Sequence, residues 1–185
     1  MNIKALYLLG DIGLLNNNLY NVVSSINREI KKDEAIVLLG DNFYPHGVLN
    51  TNDEKWGVFN KIFNKIKNPI YSLLGNHDYL TNPRCQINNS NWIMDNYYYK
   101  KEYENVDLYF IDTVPFDTIY WATKEKIEHI HQDNIENIRK QQLEWLNSEL
   151  SKNRSKKKIV FGHYPIITNG VYKYTLFPFY NYIID

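Results

Sequence analysis

The chain begins with a repeated pattern, in which a short apolar run is followed at once by glycine and then by polar side chains. The apolar runs cover residues 3–9, 35–39 and 70–74, and their continuous hydrophobicity is typical of strands buried on both faces of a sheet. Segments with apolar residues near helical spacing lie between them. The order strand, helix, strand, helix, strand predicts an α/β fold whose parallel sheet is joined by right-handed crossovers.

Capping residues and a proline set the expected limits of the two helices. Asparagines at 16–18 favour N-caps, and the first helix is expected to continue to about Ile30. Asn52 or Asp53 is suited to cap the second helix, and Pro69 is expected to end it. The apolar positions of this second helix are Trp56, Phe59, Ile62, Phe63 and Ile66.

The second half of the chain predicts a hairpin, a helix and one more strand. Residues 81–96 are polar and irregular, which indicates a loop. Residues 97–103 and 106–112 predict two strands of a hairpin. Helical spacing over 134–150 predicts a helix, and 158–161 a short strand. Without an internal repeat or a linker, we expect a single domain over residues 1–185.

Metal-competent side chains follow the glycine at four predicted strand ends. The motifs are GDIG at 10–13, GDNFY at 40–44, GNHD at 75–78 and GHYP at 162–165. Each glycine is expected to let the backbone turn where a side chain would crowd its neighbours. A lone Gly-Asp after a strand is usually a turn, but four such ends favour a site.

The first three motifs predict a cation site. If their strands are parallel neighbours, Asp11, Asp41 and Asn76 converge at one edge of the sheet. Two unpaired carboxylates there would raise each other's pKa, and a bound cation removes that conflict. A mixture of oxygen and imidazole ligands favours Fe, Zn or Mn over calcium, which takes oxygen alone.

Composition narrows the function classes. Lys and Arg together number 21, as do Asp and Glu, so no basic field favours a nucleic-acid partner. Cys85 is the single cysteine, which excludes a disulfide framework within the chain. No apolar stretch approaches the length of a membrane span, and the amino-terminal run is too short for a signal peptide. We therefore expect no membrane partner and a cytoplasmic location.

The motifs resemble those of the calcineurin-like metallophosphoesterases, and the tyrosine that ends GDNFY points to the purple (tartrate-resistant) acid phosphatases. Supporting stretches are Gly-Val at 47–48, Asn-Trp at 91–92, FIDTV at 110–114 and QLEWL at 142–146. The resemblance covers nearly the whole chain. It implies a two-sheet αββα sandwich, with the last strands of the second sheet missing here. It also implies hydrolysis of a small phosphate monoester by a hydroxide that the metals activate.

The resemblance further implies a dinuclear site. Asp11 and Tyr44 would bind the first metal, a ferric ion, and Asp41 would bridge both metals. Asn76 and His163 would bind the second metal, which would be Fe, Zn or Mn. His77 would contact the phosphate and protonate the leaving alkoxide.

Three other polar residues receive weaker assignments. Asp78 would orient His77 or its loop. His46, two residues past the tyrosine of GDNFY, is either a substrate contact or an ordinary loop histidine. For Asp112, a turn or hydrogen-bonding role is favoured over a catalytic one.

The family's pattern also contains a Gly-His-x-His motif that this chain lacks, since no histidine follows His163. Each metal then lacks one imidazole. His129 and His131 have the His-x-His spacing, but they lie upstream without a preceding glycine, and a solvated loop is the favoured interpretation. The alternative to an enzyme is a truncated homologue, either inactive or completed by a second chain that supplies the missing segment.

Overall fold

The computed structural model describes residues 1–117, 120–121, 132–152 and 156–165, and within them two three-stranded sheets and three α-helices. In chain order the elements are β1 (Ala5–Leu9), α1 (Asn17–Glu29), β2 (Glu34–Leu38), α2 (Glu54–Phe63), β3 (Ile70–Ser72), β4 (Tyr99–Glu102), β5 (Val106–Phe110), α3 (Gln132–Ser151) and β6 (Lys157–Phe161). The predicted α/β class with two sheets is confirmed.

The first sheet is parallel in the order β1-β2-β3, as the apolar runs predict. β2 is its central strand, and all five residues of β2 are buried. The register pairs Leu9 of β1 with Leu38 of β2, and Leu38 with Ser72 of β3. All three strands therefore end at one edge of the sheet.

Both helices that pack on the first sheet begin at predicted caps. The Asn16 side chain accepts hydrogen bonds from the backbone N–H groups of Asn18 and Leu19, and Asp53 accepts one from Lys55. None of the described helices combines the length and the apolar character that crossing a membrane requires.

α2 ends at Phe63, earlier than the predicted end at Pro69, so Ile66 lies beyond the helix. The Ile66 N–H donates to the Phe63 carbonyl at 2.9 Å, which closes a tight three-residue turn. The turn redirects the chain toward β3 and still buries Ile66, which is why an apolar residue at helical spacing was misassigned to the helix.

The second sheet combines the predicted hairpin of β4 and β5 with β6, which pairs parallel to β5. Side chains along β5 alternate between the two faces of the sheet. Leu108 and Phe110 join the core shared with the first sheet, whereas Tyr109 packs with Trp145 and Leu146 of α3. The helix therefore covers the outer face of this sheet.

Aromatic rings join the two sheets. Phe110 is fully buried, and its ring centroid lies 5.3 Å from that of Tyr71, 4.5 Å from that of Tyr99 and 5.2 Å from that of Phe161. The Tyr99 hydroxyl also donates to the Ser72 carbonyl at 2.7 Å. With α1 and α2 on the first sheet, the layers follow the order helix, sheet, sheet, helix.

The strand β1 is less buried than its apolar sequence predicts, and β6 is partly exposed as well. Leu8 of β1 is 51% exposed, and Ile159 and Val160 of β6 are 40% and 41% exposed. Among the described strands, each has a neighbour on one side only. The prediction that β1 is fully buried is therefore wrong, because an edge strand can have the same apolar composition as a central one.

Phe110→Ala is expected to lower the free energy of unfolding by about 3–5 kcal/mol, because it removes the ring that joins the sheets. Chemical denaturation measures the loss. The matched control is Tyr20→Ala, which truncates a ring that is 44% exposed and should change the same quantity by no more than about 0.5 kcal/mol. Similar losses in both variants would contradict this description of the core.

Candidate metal centre

The turns that follow β1, β2, β3 and β6 contact one another. The Asp11 N–H donates to the Gly40 carbonyl at 3.2 Å, and the His77 N–H donates to the Asp41 carboxylate at 2.9 Å. His163 enters this cluster from the second sheet. Potential ligand atoms of Asp11, Asp41 and His163 all lie within 4.8 Å of one another. The structure thus brings together side chains that are far apart in the sequence.

Both aspartates of the cluster have a left-handed backbone. The φ angle is 55° at Asp11 and 53° at Asp41, and it is 88° at Gly40. Residues with a Cβ adopt this region at an energetic cost, which aspartate tolerates better than most. Strained backbone of this kind persists where the surrounding structure enforces it, typically at functional sites.

Close approach of the second and third turns requires glycine at position 75. A Cβ on Gly75 would lie 2.3 Å from both the backbone nitrogen and the carboxylate Oδ1 of Asp41. Gly10 differs, because the nearest atom to an added Cβ there is Leu39 Cβ at 3.9 Å. The expectation that each motif glycine prevents crowding is therefore wrong for Gly10, where the backbone bends at Asp11 instead.

Tyr44 connects the two aspartates. Its hydroxyl lies 2.9 Å from Asp11 Oδ1 and 2.9 Å from Asp41 Oδ2, so a single proton is shared between two carboxylates. Burial and both carboxylates raise the pKa of Tyr44 above its ordinary value. A cation among these three oxygens would take the place of the shared proton, since metal binding releases protons from its ligands.

His163 presents a nitrogen lone pair to the same cluster. Its Nδ1 donates to the Leu39 carbonyl at 2.8 Å, so Nε2 of the neutral ring is an acceptor. This Nε2 lies 3.1 Å from Asn76 Oδ1 and 3.6 Å from Asp41 Oδ1. With the ring neutral, three acceptor atoms face one another here, and a bound cation would remove their mutual repulsion. A histidine fixed by its other nitrogen is the usual arrangement in metal sites.

His77 lies beside the cluster and is accessible. Its Nδ1 is 2.6 Å from the Pro45 carbonyl, and its side chain is 36% exposed. Nε2 is 3.9 Å from Asp41 Oδ2, and the ring packs edge-on against Tyr44. The imidazole is thus oriented by one nitrogen and leaves the other available to a ligand.

Asp78 is completely buried and bonds to groups of the turns rather than to the His77 imidazole. Its carboxylate accepts the N–H of Gly75 at 2.9 Å, the N–H of Asn42 at 3.1 Å and the amide of Gln86 at 2.9 Å. Burial raises the pKa of Asp78 to about 6, although these hydrogen bonds act in the opposite direction. Of the two roles predicted for Asp78, its contacts match support of the loop.

The remaining candidate histidines are not brought to the cluster by any described contact. His46 is exposed, and its backbone carbonyl accepts the Lys55 ammonium at 2.7 Å. His129 and His131 lie outside the described residues, so their assignment to a solvated loop stays a prediction.

Asp112 belongs to a separate buried network. Its carboxylate accepts the Tyr79 hydroxyl and, at 3.1 Å, the N–H of Val114, while its backbone N–H and carbonyl both bond to the Gln142 amide of α3. Burial raises the pKa of Asp112 to about 7. These contacts tie the second sheet to α3, in keeping with the predicted hydrogen-bonding role.

Three polar residues near the cluster had no role in the sequence-based prediction. Asn42 bonds inside the buried network of Asp78, and the Tyr120 hydroxyl donates to the Asn76 carbonyl at 2.8 Å. Gln86 lies in the segment that was predicted to be a loop. Asn42 is part of the GDNFY motif, so the sequence offered a signal for it. No periodicity or motif marks Gln86 or Tyr120.

Comparison with known proteins gives one family and several relatives. The family described as Calcineurin-like phosphoesterase matches residues 5–180. Purple acid phosphatase 3 of Arabidopsis thaliana is 31% identical in an alignment of 153 positions, which covers 74% of this chain and 40% of that protein. Tartrate-resistant acid phosphatase type 5 of Homo sapiens is 30% identical in an alignment of 151 positions, which covers 72% of this chain and 45% of that protein. The chain thus spans less than half the length of these curated relatives.

Solved structures share the fold. The structure described as "GAP50 the anchor in the inner membrane complex of Plasmodium" matches with a TM-score of 0.67 at 23% identity, over 95% of this chain and 61% of that one. Phosphopantetheinyl Hydrolase (PptH) from Mycobacterium tuberculosis matches with a TM-score of 0.51 at 9% identity, over 98% and 76% respectively. At these identities the likeness concerns the fold alone.

Gly75→Ala is expected to destabilise the protein by about 1–3 kcal/mol, because the added methyl group collides with Asp41. Denaturation of the metal-free protein measures this. The control Gly10→Ala adds the same methyl group where the nearest atom is 3.9 Å away, and its stability should stay within about 0.5 kcal/mol of the wild type. Equal stability of the two variants would contradict the close approach.

Asp112→Asn is expected to change how stability depends on pH. The pKa of Asp112 is about 7 in the folded protein against an ordinary 3.8, so the folded state keeps a proton that the unfolded chain releases between about pH 4 and pH 7. Its contribution to stability is therefore greatest below this range and falls as the pH rises through it. The wild type should lose stability relative to the variant from about pH 4 to pH 7, measured by denaturation at stepped pH. A difference that is constant, or that grows in favour of the wild type, would reject this assignment.

Proposed function

The chain belongs to the calcineurin-like phosphoesterase family, and from this membership we propose that it hydrolyses phosphate monoesters at a site for two metal ions. The proposal is carried by the meeting of metal-competent side chains at four strand ends, with an accessible histidine beside them. These residues are Asp11, Asp41, Tyr44, Asn76 and His163, with His77 adjacent.

The donor set suits two cations that share one carboxylate. Asp11 and Tyr44 would hold one ion, Asn76 and His163 would hold the other, and Asp41 contacts both groups of ligands. The first set consists of oxygens and suits a ferric ion, whereas the second mixes oxygen with imidazole and suits Fe, Zn or Mn. When bound, the ions would supply Lewis acidity toward the phosphoryl oxygens and lower the pKa of an attacking water.

Two side chains of the protein, His77 and Tyr44, would hold and transfer protons. The Pro45 carbonyl holds Nδ1 of His77, so Nε2 is the nitrogen that faces the cluster. With a proton on Nε2, His77 would donate a hydrogen bond to the phosphate and then protonate the leaving alkoxide. Tyr44 would release its proton on binding a cation, because a phenolate oxygen is the ligand.

The proposed substrate is a small phosphate ester. The zero net charge supports neither a nucleic acid nor a membrane surface as partner. The alternative is a truncated homologue, which would either bind metal or phosphate without turnover or need a second chain with a Gly-His-x-His segment to complete the ligands of both metals. Separate measurements of metal content and of phosphate-ester hydrolysis distinguish a site that only binds metal or phosphate from an active enzyme.

Asp41→Ala is expected to abolish release of phosphate from p-nitrophenyl phosphate, because it removes the carboxylate shared by the two proposed metal positions. His77→Ala is expected to lower kcat by about 10²–10⁴-fold, because it removes the proposed proton donor. The matched control for the first is Asp95→Ala, an exposed aspartate paired with Lys101, which should keep the wild-type rate. His46→Ala shows whether that exposed histidine touches the substrate, since only then does KM rise. A folded wild type that contains two metals per chain and has no turnover would refute the enzyme and favour a binding role.

A further inference from the structure

Gln86 is a fully buried polar residue in a segment with no assigned role. It ends the short 3₁₀ turn Pro83–Gln86, and its side chain has no exposure to solvent. The Trp92 indole donates to its backbone carbonyl at 2.8 Å, which fixes the turn from the other side. Burial of an amide is costly unless both its ends are hydrogen-bonded, so the partners of Gln86 indicate what the residue does.

The two ends of the Gln86 amide bind two different turns of the candidate metal centre. Its Nε2 donates to Asp78 Oδ1 at 2.9 Å, and its Oε1 accepts Nδ2 of Asn42 at 3.1 Å. Asn42 follows Asp41 directly in the turn after β2, and Asp78 belongs to the turn after β3 that carries Asn76. One side chain therefore bridges the two turns.

The Gln86 bridge also affects which hydrogen-bond donor each oxygen of the Asp78 carboxylate accepts. Its Oδ2 accepts the Gly75 N–H at 2.9 Å, while Oδ1 is the oxygen nearest to Gln86, and the Asn42 N–H lies between the two at 3.1 and 3.2 Å. These partners are uncharged N–H groups, so the orientation of the carboxylate depends on each of them. Without Gln86, Oδ1 would lose a donor and Asn42 would lose an acceptor in a site closed to water.

We propose that Gln86 is a positioning residue that sets the separation between the two metal positions. The inference rests on the proposed function, because it concerns the ligands named there. Asp41 lies in the turn after β2 and Asn76 in the turn after β3, so a change in the spacing of these turns changes the distance between the two groups of ligands. Partners outside the ligand shell typically affect metal affinity by about 10–100-fold, which is the effect expected here.

The test is Gln86→Met, which keeps the size of the side chain and removes both hydrogen bonds. Its matched control is Gln142→Met, since Gln142 is 1% exposed and also makes two hydrogen bonds, both to the backbone of Asp112 rather than to a turn of the cluster. Both variants are expected to lose similar stability in denaturation. Calorimetric titration with Zn²⁺ should show affinity lower by about 10–100-fold in Gln86→Met alone.

Gln86→Leu is the second variant, because its apolar side chain also removes both hydrogen bonds but differs from methionine in shape. If Gln86→Met does not fold, a loss of Zn²⁺ affinity in Gln86→Leu supports the proposal and an unchanged affinity overturns it. If Gln86→Met binds Zn²⁺ with wild-type affinity, or if Gln142→Met loses as much Zn²⁺ affinity as Gln86→Met, the positioning role is overturned and Gln86 is only a structural residue. Either result leaves the proposed function intact. A wild type that binds no Zn²⁺ would instead refute the proposed metal centre, and this inference with it.

Discussion

The register of the first sheet is the constraint on which the rest of the site depends. Pairing of β1 with β2 brings Asp11 level with Gly40, and pairing of β2 with β3 brings Asp41 level with Gly75. A shift of one residue along β2 would break both alignments and, because side chains alternate along a strand, would turn each β2 side chain toward the opposite face of the sheet. The hydrophobic core therefore fixes the position of the polar turns, although it contains none of the candidate ligands.

The turns themselves are unfavourable in the absence of a cation. Asp11 and Asp41 have left-handed backbone, Tyr44 shares one proton between them, and a neutral His163 ring would direct a lone pair at the Asn76 oxygen. Each arrangement costs free energy that packing elsewhere must offset. Two stacked sheets and their aromatic contacts provide that stabilisation, and the buried amides and carboxylates behind the site hold the turns in place.

Sequence reasoning was most successful where one local rule determined the result. Continuous apolar runs predicted the parallel strands, and Asn16 and Asp53 predicted the helix starts, because caps depend on neighbouring residues alone. It failed where tertiary position decides: within the described part of the chain β1 has a neighbouring strand on one side only, and the nearest described atom to a Cβ added at Gly10 is 3.9 Å away. Gln86 was not predictable, because a buried polar residue in an irregular segment has the same local sequence as an exposed one.

The most direct test of the metal centre is anomalous X-ray diffraction from crystals loaded with Fe or Zn. The account predicts two anomalous peaks, one bounded by Asp11 and Tyr44 and the other by Asn76 and His163, with the Asp41 carboxylate reaching both. Absence of anomalous density at these strand ends in a crystal whose protein retains the described fold would contradict it.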